Sequence, residues 1–275
     1  MLRTLFTIAL LTGMLVPASG VAEELFPDEQ LRGVIQEILR KKQIDKPQID
    51  PADLSKIFFL DAKGKGIANL QGLERCTNLA SVDLSGNAIV DVSPLAACGD
   101  IQTLTLTGNQ ITNAAPLGKL TKLQYLQLDG NKLASLDGLQ SLANLRSLYL
   151  ADNQLDSVAP LAELTQLRSL YLDGNQVADI APLAKLRWLS SLGMDGNRVA
   201  NLQPLAGLTE LRFTSLKGNP LADLGPLVTM AEQDLAGPQR FAPYWFLYVD
   251  EAALPAAAQD QLARLQTLGV RINHE

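Results

Sequence analysis

The side chains able to do acid–base, nucleophilic or metal chemistry are few in this chain. Its 275 residues include one histidine, His274, next to last, and two cysteines, Cys76 and Cys98. A triad built on histidine, a zinc site or a Cys/His nucleophile pair each needs more of these groups, brought together in space. Catalysis would have to run on carboxylates, hydroxyls or lysines alone. The expectation is therefore a binding protein, with no enzymatic activity, no cofactor and no metal.

Composition narrows the partner as well. With 47% hydrophobic and 19% charged residues the chain has enough apolar material to fold and bury a core. The net charge is -6 and the pI about 4.9. No Lys/Arg cluster is dense enough to track a phosphate backbone, which argues against nucleic acid and for a partner of basic character.

The elements that must position the remaining polar groups come from a repeat. Asn87, Asn109, Asn131, Asn153, Asn175, Asn197 and Asn219 follow one another at intervals of 22 residues. Around each runs the pattern of Leu145-x-x-Leu148-x-Leu150-x-x-Asn153-x-Leu155. Alternation at Leu148 and Leu150 turns two side chains inward from a short strand and leaves Ser147, Tyr149 and Ala151 outward. The asparagine amide, with two donors and an acceptor oxygen, suits the backbone groups left unpaired where the chain leaves the strand, so stacked coils should hold a buried asparagine ladder. Pro94, Pro116, Pro160, Pro182, Pro204 and Pro226 recur in register at the start of a helical turn, where the missing N–H costs nothing, and Gly138 interrupts them. A degenerate first coil carries Lys65 in place of asparagine, Thr214 replaces an inward leucine late in the array, and the period ends after Met230. Eight coils, from about Ile57 to Met230, are expected.

Four segments follow. Residues 1–22, with Arg3, the apolar run Leu5 to Val16 and small residues after it, read as a secretory signal peptide. That run is too short for the roughly 20 residues needed to span a bilayer. The mature chain is expected to be exported, periplasmic or secreted, without a membrane span. Residues 23–56, with Val34, Ile35, Ile38 and Leu39 at helical spacing, read as a helical N-terminal cap, and 57–235 as the repeats. Residues 236–275 read as a C-terminal cap: a strand from Trp245 to Val249, a helix from Pro255 to Leu268, and a closing strand to Ile272. The aromatics Phe241, Tyr244, Trp245, Phe246 and Tyr248 are expected to form a lid over the last coil.

This arrangement resembles the bacterial internalin-like proteins with 22-residue leucine-rich repeats. The resemblance rests on Phe26-Pro-Asp-x-x-Leu31, on Leu60-Asp-Ala-Lys-Gly-Lys-Gly-Ile67 and on Asn87-Ala-Ile-Val-Asp-Val-Ser-Pro-Leu95. It implies an α/β solenoid: a right-handed superhelix with short parallel strands on its concave face, a helical N-terminal cap and an α/β C-terminal cap. It implies little about the partner, since such families bind unrelated ligands through varied exposed residues.

Outward strand positions are the ones free to contact a partner. Early coils present Ser81, Thr103, Thr105 and Thr107, whereas middle coils present Tyr125, Gln127, Asp129, Tyr149, Tyr171, Asp173 and Asp195. Tyrosine supplies contact area with little entropy loss, so these seven residues are the candidate site for a protein with basic and apolar character. A structural envelope component without a discrete ligand is the alternative. Cys76 and Cys98 fall one period apart at a core position filled by Leu120, Leu142, Leu164, Leu186 and Leu208 in later coils. Two readings stay open for them: a disulfide between adjacent coils, or a pair of buried free thiols.

Overall fold

The computed structural model describes residues 25–46, 49–237 and 239–274, so the proposed signal segment lies outside the described residues. Ten short strands form one parallel sheet whose spatial order follows chain order. They are β1 (Phe59–Asp61), β2 (Ser81–Asp83), β3 (Thr103–Thr105), β4 (Tyr125–Gln127), β5 (Ser147–Tyr149), β6 (Ser169–Tyr171), β7 (Ser191–Gly193), β8 (Phe213–Ser215), β9 (Phe246–Tyr248) and β10 (Arg271–Ile272). From β1 to β8 each strand pairs with the equivalent residues one period on. Leu60, Val82, Leu104, Leu126, Leu148, Leu170, Leu192 and Thr214 therefore form one inward column.

The asparagines form the ladder that their spacing predicts. In the middle of the array Asn153 Nδ2 donates to Leu128 O at 3.0 Å in the preceding coil and to Leu150 O at 3.1 Å in its own. Its Oδ1 accepts from Leu133 N at 3.0 Å. One side chain thus satisfies backbone groups in two coils, and the same contacts recur at Asn109, Asn131, Asn175 and Asn197, all buried. At the first coil Asn87 reaches back to Lys65 N and Ile67 N, each 3.0 Å away.

The return side is built of 3-10 turns such as Ser93–Ala97, Ala159–Glu163 and Ala181–Lys185, each with proline near its start. Gly138 breaks the proline series because its coil enters the turn in the left-handed region, at φ 89°. A Cβ there would lie 2.6 Å from Ala115 Cα, so the backbones of neighbouring coils approach too closely for any side chain.

Helices close both ends. At the N-terminus α1 (Glu29–Lys41) buries Leu31, Val34, Ile35 and Leu39, and is followed by the single turn α2 (Pro51–Leu54). Asp28 joins α1 to the first coil: Oδ1 accepts from Leu31 N at 3.0 Å, and Oδ2 accepts from Ala68 N and Asn69 N at 2.9 and 3.0 Å. At the other end the last repeat turn lengthens into α3 (Gly225–Ala236), which packs against α4 (Ala256–Thr267). Buried Asp234 on α3 accepts from the N–H groups of Arg240, Phe241 and Ala242 at 2.9 to 3.1 Å, pinning the cap's first loop.

The C-terminal cap differs from the expected lid in one respect. Rather than closing the array, β9 and β10 extend the same sheet by two rungs. Phe241 and Trp245 are fully buried and do cover the last coil, with ring centres 4.7 Å apart, but Tyr244 is exposed and Phe246 and Tyr248 are only half-buried. Strand alternation is the reason: once Trp245 turns inward to pack, the outward residues of β9 continue the columns of the repeats.

Candidate partner-binding face

Tyr125, Tyr149 and Tyr171 stand half-buried on successive rungs β4, β5 and β6. Tyr125 and Tyr149 have ring centres 5.3 Å apart, and Tyr149 and Tyr171 stack at 5.0 Å with planes 5° apart. Tyr149 and Tyr171 are in register and stack because neighbouring parallel strands are about 4.8 Å apart, whereas Tyr125, in register with Ser147, meets Tyr149 across the diagonal. The row continues beyond the residues singled out in sequence. Tyr171 meets Phe213 of β8 at 6.3 Å, and Phe213 meets Tyr248 of β9 at 5.3 Å. Five aromatic rings therefore run across six rungs. The gap at β7 is occupied by Gly193, where a Cβ would lie 2.6 Å from Tyr171 Cδ1 and 2.7 Å from Asp173 Oδ2. Glycine leaves the space into which the Tyr171 ring leans to reach Phe213.

Polar residues border this row. Tyr125 donates its hydroxyl to Gln127 Oε1 at 2.9 Å, and Gln127 Nε2 donates to Asp129 Oδ2 at 2.8 Å. Each aspartate also accepts from the backbone of the next coil: Asp129 from Ala151 N and Asp173 from Asp195 N, both at 2.7 Å, and Asp195 from Lys217 N at 2.8 Å. Asp195 further accepts from the Ser215 hydroxyl at 2.6 Å. These half-buried carboxylates are fixed parts of the scaffold as well as charge on its outward side. Burial pushes the Asp173 carboxyl above its ordinary pKa, the nearby charges of Asp195 and Asp129 add to this, and backbone N–H groups oppose it. Burial, then neighbouring acidic groups, likewise raise the hydroxyls of Tyr125 and Tyr149. A cation arriving here would relieve repulsion already built into the column.

Phe213 and Tyr248 add two rings to the three tyrosines that the repeat singles out. Phe213 occupies an outward position in the repeat, so its register is legible there; Tyr248, expected in the lid, lies on a strand outside the period. Cys76 and Cys98 lie elsewhere, both fully buried in the first coils and both free thiols. Cys98 Sγ donates to Leu73 O at 3.1 Å. Burial pushes each thiol up to about 12, which suits a packing residue rather than a nucleophile. His274 stays at the chain end, its ring 6.1 Å from that of Phe246.

A leucine-rich repeat family model matches the chain twice, at residues 101–141 and 143–185. Among solved structures, internalin C2 from Listeria monocytogenes is 33% identical, with a TM-score of 0.72 over 76% of this chain and 92% of that one. An internalin, InlF, of the same organism is 23% identical with a TM-score of 0.52 over 96% and 95% of the two chains. The functional domain of InlJ from Listeria monocytogenes, which includes a cysteine ladder, is 20% identical with a TM-score of 0.57 over 83% and 56%. These last two likenesses are of fold. No curated protein matches the chain by sequence. Leucine-rich repeat folds commonly mediate protein–protein interaction, and those of the internalin type are binding scaffolds rather than enzymes. Among the described residues no helix is long and apolar enough to cross a membrane. Repeat period, capping helix, sheet topology and the match to internalin C2 agree: the chain belongs to the internalin-like leucine-rich repeat proteins.

Proposed function

We propose that this protein is exported, to the periplasm or beyond the cell, and binds a protein partner through its concave face from β4 to β9. The observation that carries this reading is the five-ring row Tyr125, Tyr149, Tyr171, Phe213 and Tyr248, half-exposed on the sheet's outward side. A core has no need of rings there, whereas an interface gains from them, since they desolvate a large area while losing few rotamers. Gln127, Asp129, Asp173 and Asp195 beside the row favour a partner with basic groups around an apolar centre, and the charge of the three aspartates guides its approach in a salt-sensitive way.

Affinity capture with the chain as bait, followed by titration of the purified partner, tests this. Replacing Tyr149 and Tyr171 together by alanine should weaken binding by at least about 2 kcal/mol, since hot-spot rings lose that much. Ser81→Ala and Thr103→Ala should change it little. Wild-type affinity in the double tyrosine variant would place the interface elsewhere. Tolerance of every concave substitution would favour a packing element of the cell envelope.

A further inference from the structure

The edge at which the chain enters each strand carries a different set of side chains. Arg146, Arg168, Ser190 and Arg212 precede β5, β6, β7 and β8, and their backbones are locked in register. Arg168 N donates to Arg146 O and Ser190 N to Arg168 O, both at 2.8 Å, and Arg212 N to Ser190 O at 2.7 Å. With rungs about 4.8 Å apart, Arg168 and Arg212 flank Ser190 across roughly 10 Å. The small serine between two long cations opens a hollow of about 260 Å³, lined by Arg168, Trp188, Ser190, Glu210 and Arg212.

Trp188 is a large apolar side chain left facing solvent. Its indole is 57% exposed, while the same position in other coils holds Asn78, Asp100, Lys122, Asn144, Gln166 and Glu210. Tyr244, 56% exposed, stands two rungs on, with the Arg212 guanidinium 5.7 Å from its ring centre. Among the described residues Arg146 and Arg168 form no ion pair, in a chain whose net charge is -6. Glu210 accepts from Arg240 at 2.9 Å through one oxygen. As a carboxylate it has further acceptor capacity at the other.

We propose that this edge binds a carboxylated sugar unit of an acidic glycan. Arg168 and Arg212 converge on the carboxylate, Arg212 through the N–H groups that it does not donate to Arg240 O, and the Ser190 hydroxyl donates to it as well. The apolar face of the sugar ring lies on Trp188, and Glu210 accepts from a ring hydroxyl. Two features favour a sugar acid over an acidic protein segment. Glu210 repels a ligand that offers only carboxylates but serves one that also offers hydroxyl donors. The hollow also lacks the desolvated apolar pocket in which a protein anchor residue seats. The site lies at the strand-entry edge, shares no residue with the aromatic row and does not depend on it.

The chain reports its own binding, because it has two tryptophans and the other, Trp245, is fully buried. Short oligomers of galacturonate, glucuronate and mannuronate are titrated against indole emission and by calorimetry, with maltotetraose and an oligo-glutamate peptide as controls. At least one uronate oligomer should give a saturable emission change. Its affinity should fall at least tenfold in Arg168→Ala, fall with added salt, and stay unchanged in the Tyr149→Ala, Tyr171→Ala variant. Trp188→Leu should lose the emission signal and weaken the calorimetric one, with circular dichroism confirming an intact fold. Absence of binding by all three uronates up to several millimolar, or equal binding of maltotetraose, overturns the proposal. Binding of oligo-glutamate alone would assign the edge to an acidic protein segment instead.

Discussion

Thr214 is the one polar residue in the inward strand column, and the cap explains it. Its Oγ1 accepts from Trp245 Nε1 at 2.9 Å, with both side chains fully buried. The leucine that the repeat calls for would leave an indole N–H without a partner in the core. Sequence reading could register the departure but not its cause, because the partner lies 31 residues away, outside the repeat. Thr214→Val keeps the shape and removes the acceptor. It should destabilise the protein by about 1–3 kcal/mol, the cost of an unsatisfied buried donor. Urea unfolding measures this, and a value near zero would mean that the indole finds another acceptor. In the same way Asp28 and Asp234, which tie the caps to the array, are ordinary acidic residues in the sequence and acquire their roles only from backbone N–H groups brought to them by folding.

At the scale of elements, what repeats was legible and what breaks the repeat was not. The 22-residue period carried strand register, the asparagine ladder and the outward columns, because each coil solves the same packing problem as its neighbour. The C-terminal cap has no period, so its sequence marks β9 and β10 as strands without their place in the sheet. That is why the aromatic row looked three rings long and is five. Gly193 is the hinge of this difference: in a column of outward side chains it reads as a vacancy, yet it is the reason why Tyr171 reaches Phe213 across a whole rung. Substituting valine at Gly193 would force Tyr171 and Asp173 aside, at about 1–3 kcal/mol for overpacking. Beyond that loss, the partner should bind more weakly than stability alone explains, since the row is cut in two. Thermal unfolding together with titration of the folded fraction separates the two effects; unchanged affinity would show that the rings beyond β7 contribute nothing to binding.

For the whole molecule, one open sheet of ten rungs dictates the shape. Rungs about 4.8 Å apart place β1 and β10 roughly 43 Å from one another along the stacking axis, before the helical caps at either end are added. Among the described residues each coil touches chiefly its neighbours, so no contact draws the two ends together, and the array stays long instead of collapsing. The acidic, ring-lined face and the arginine edge proposed as binding surfaces share no residue along this sheet. A globular protein of this length would have a radius of gyration of about 18 Å. Solution scattering should therefore give a clearly larger value, with a skewed distance distribution whose tail reaches well past the sheet's own span. A radius near the globular figure, with a symmetric distribution, would contradict the solenoid.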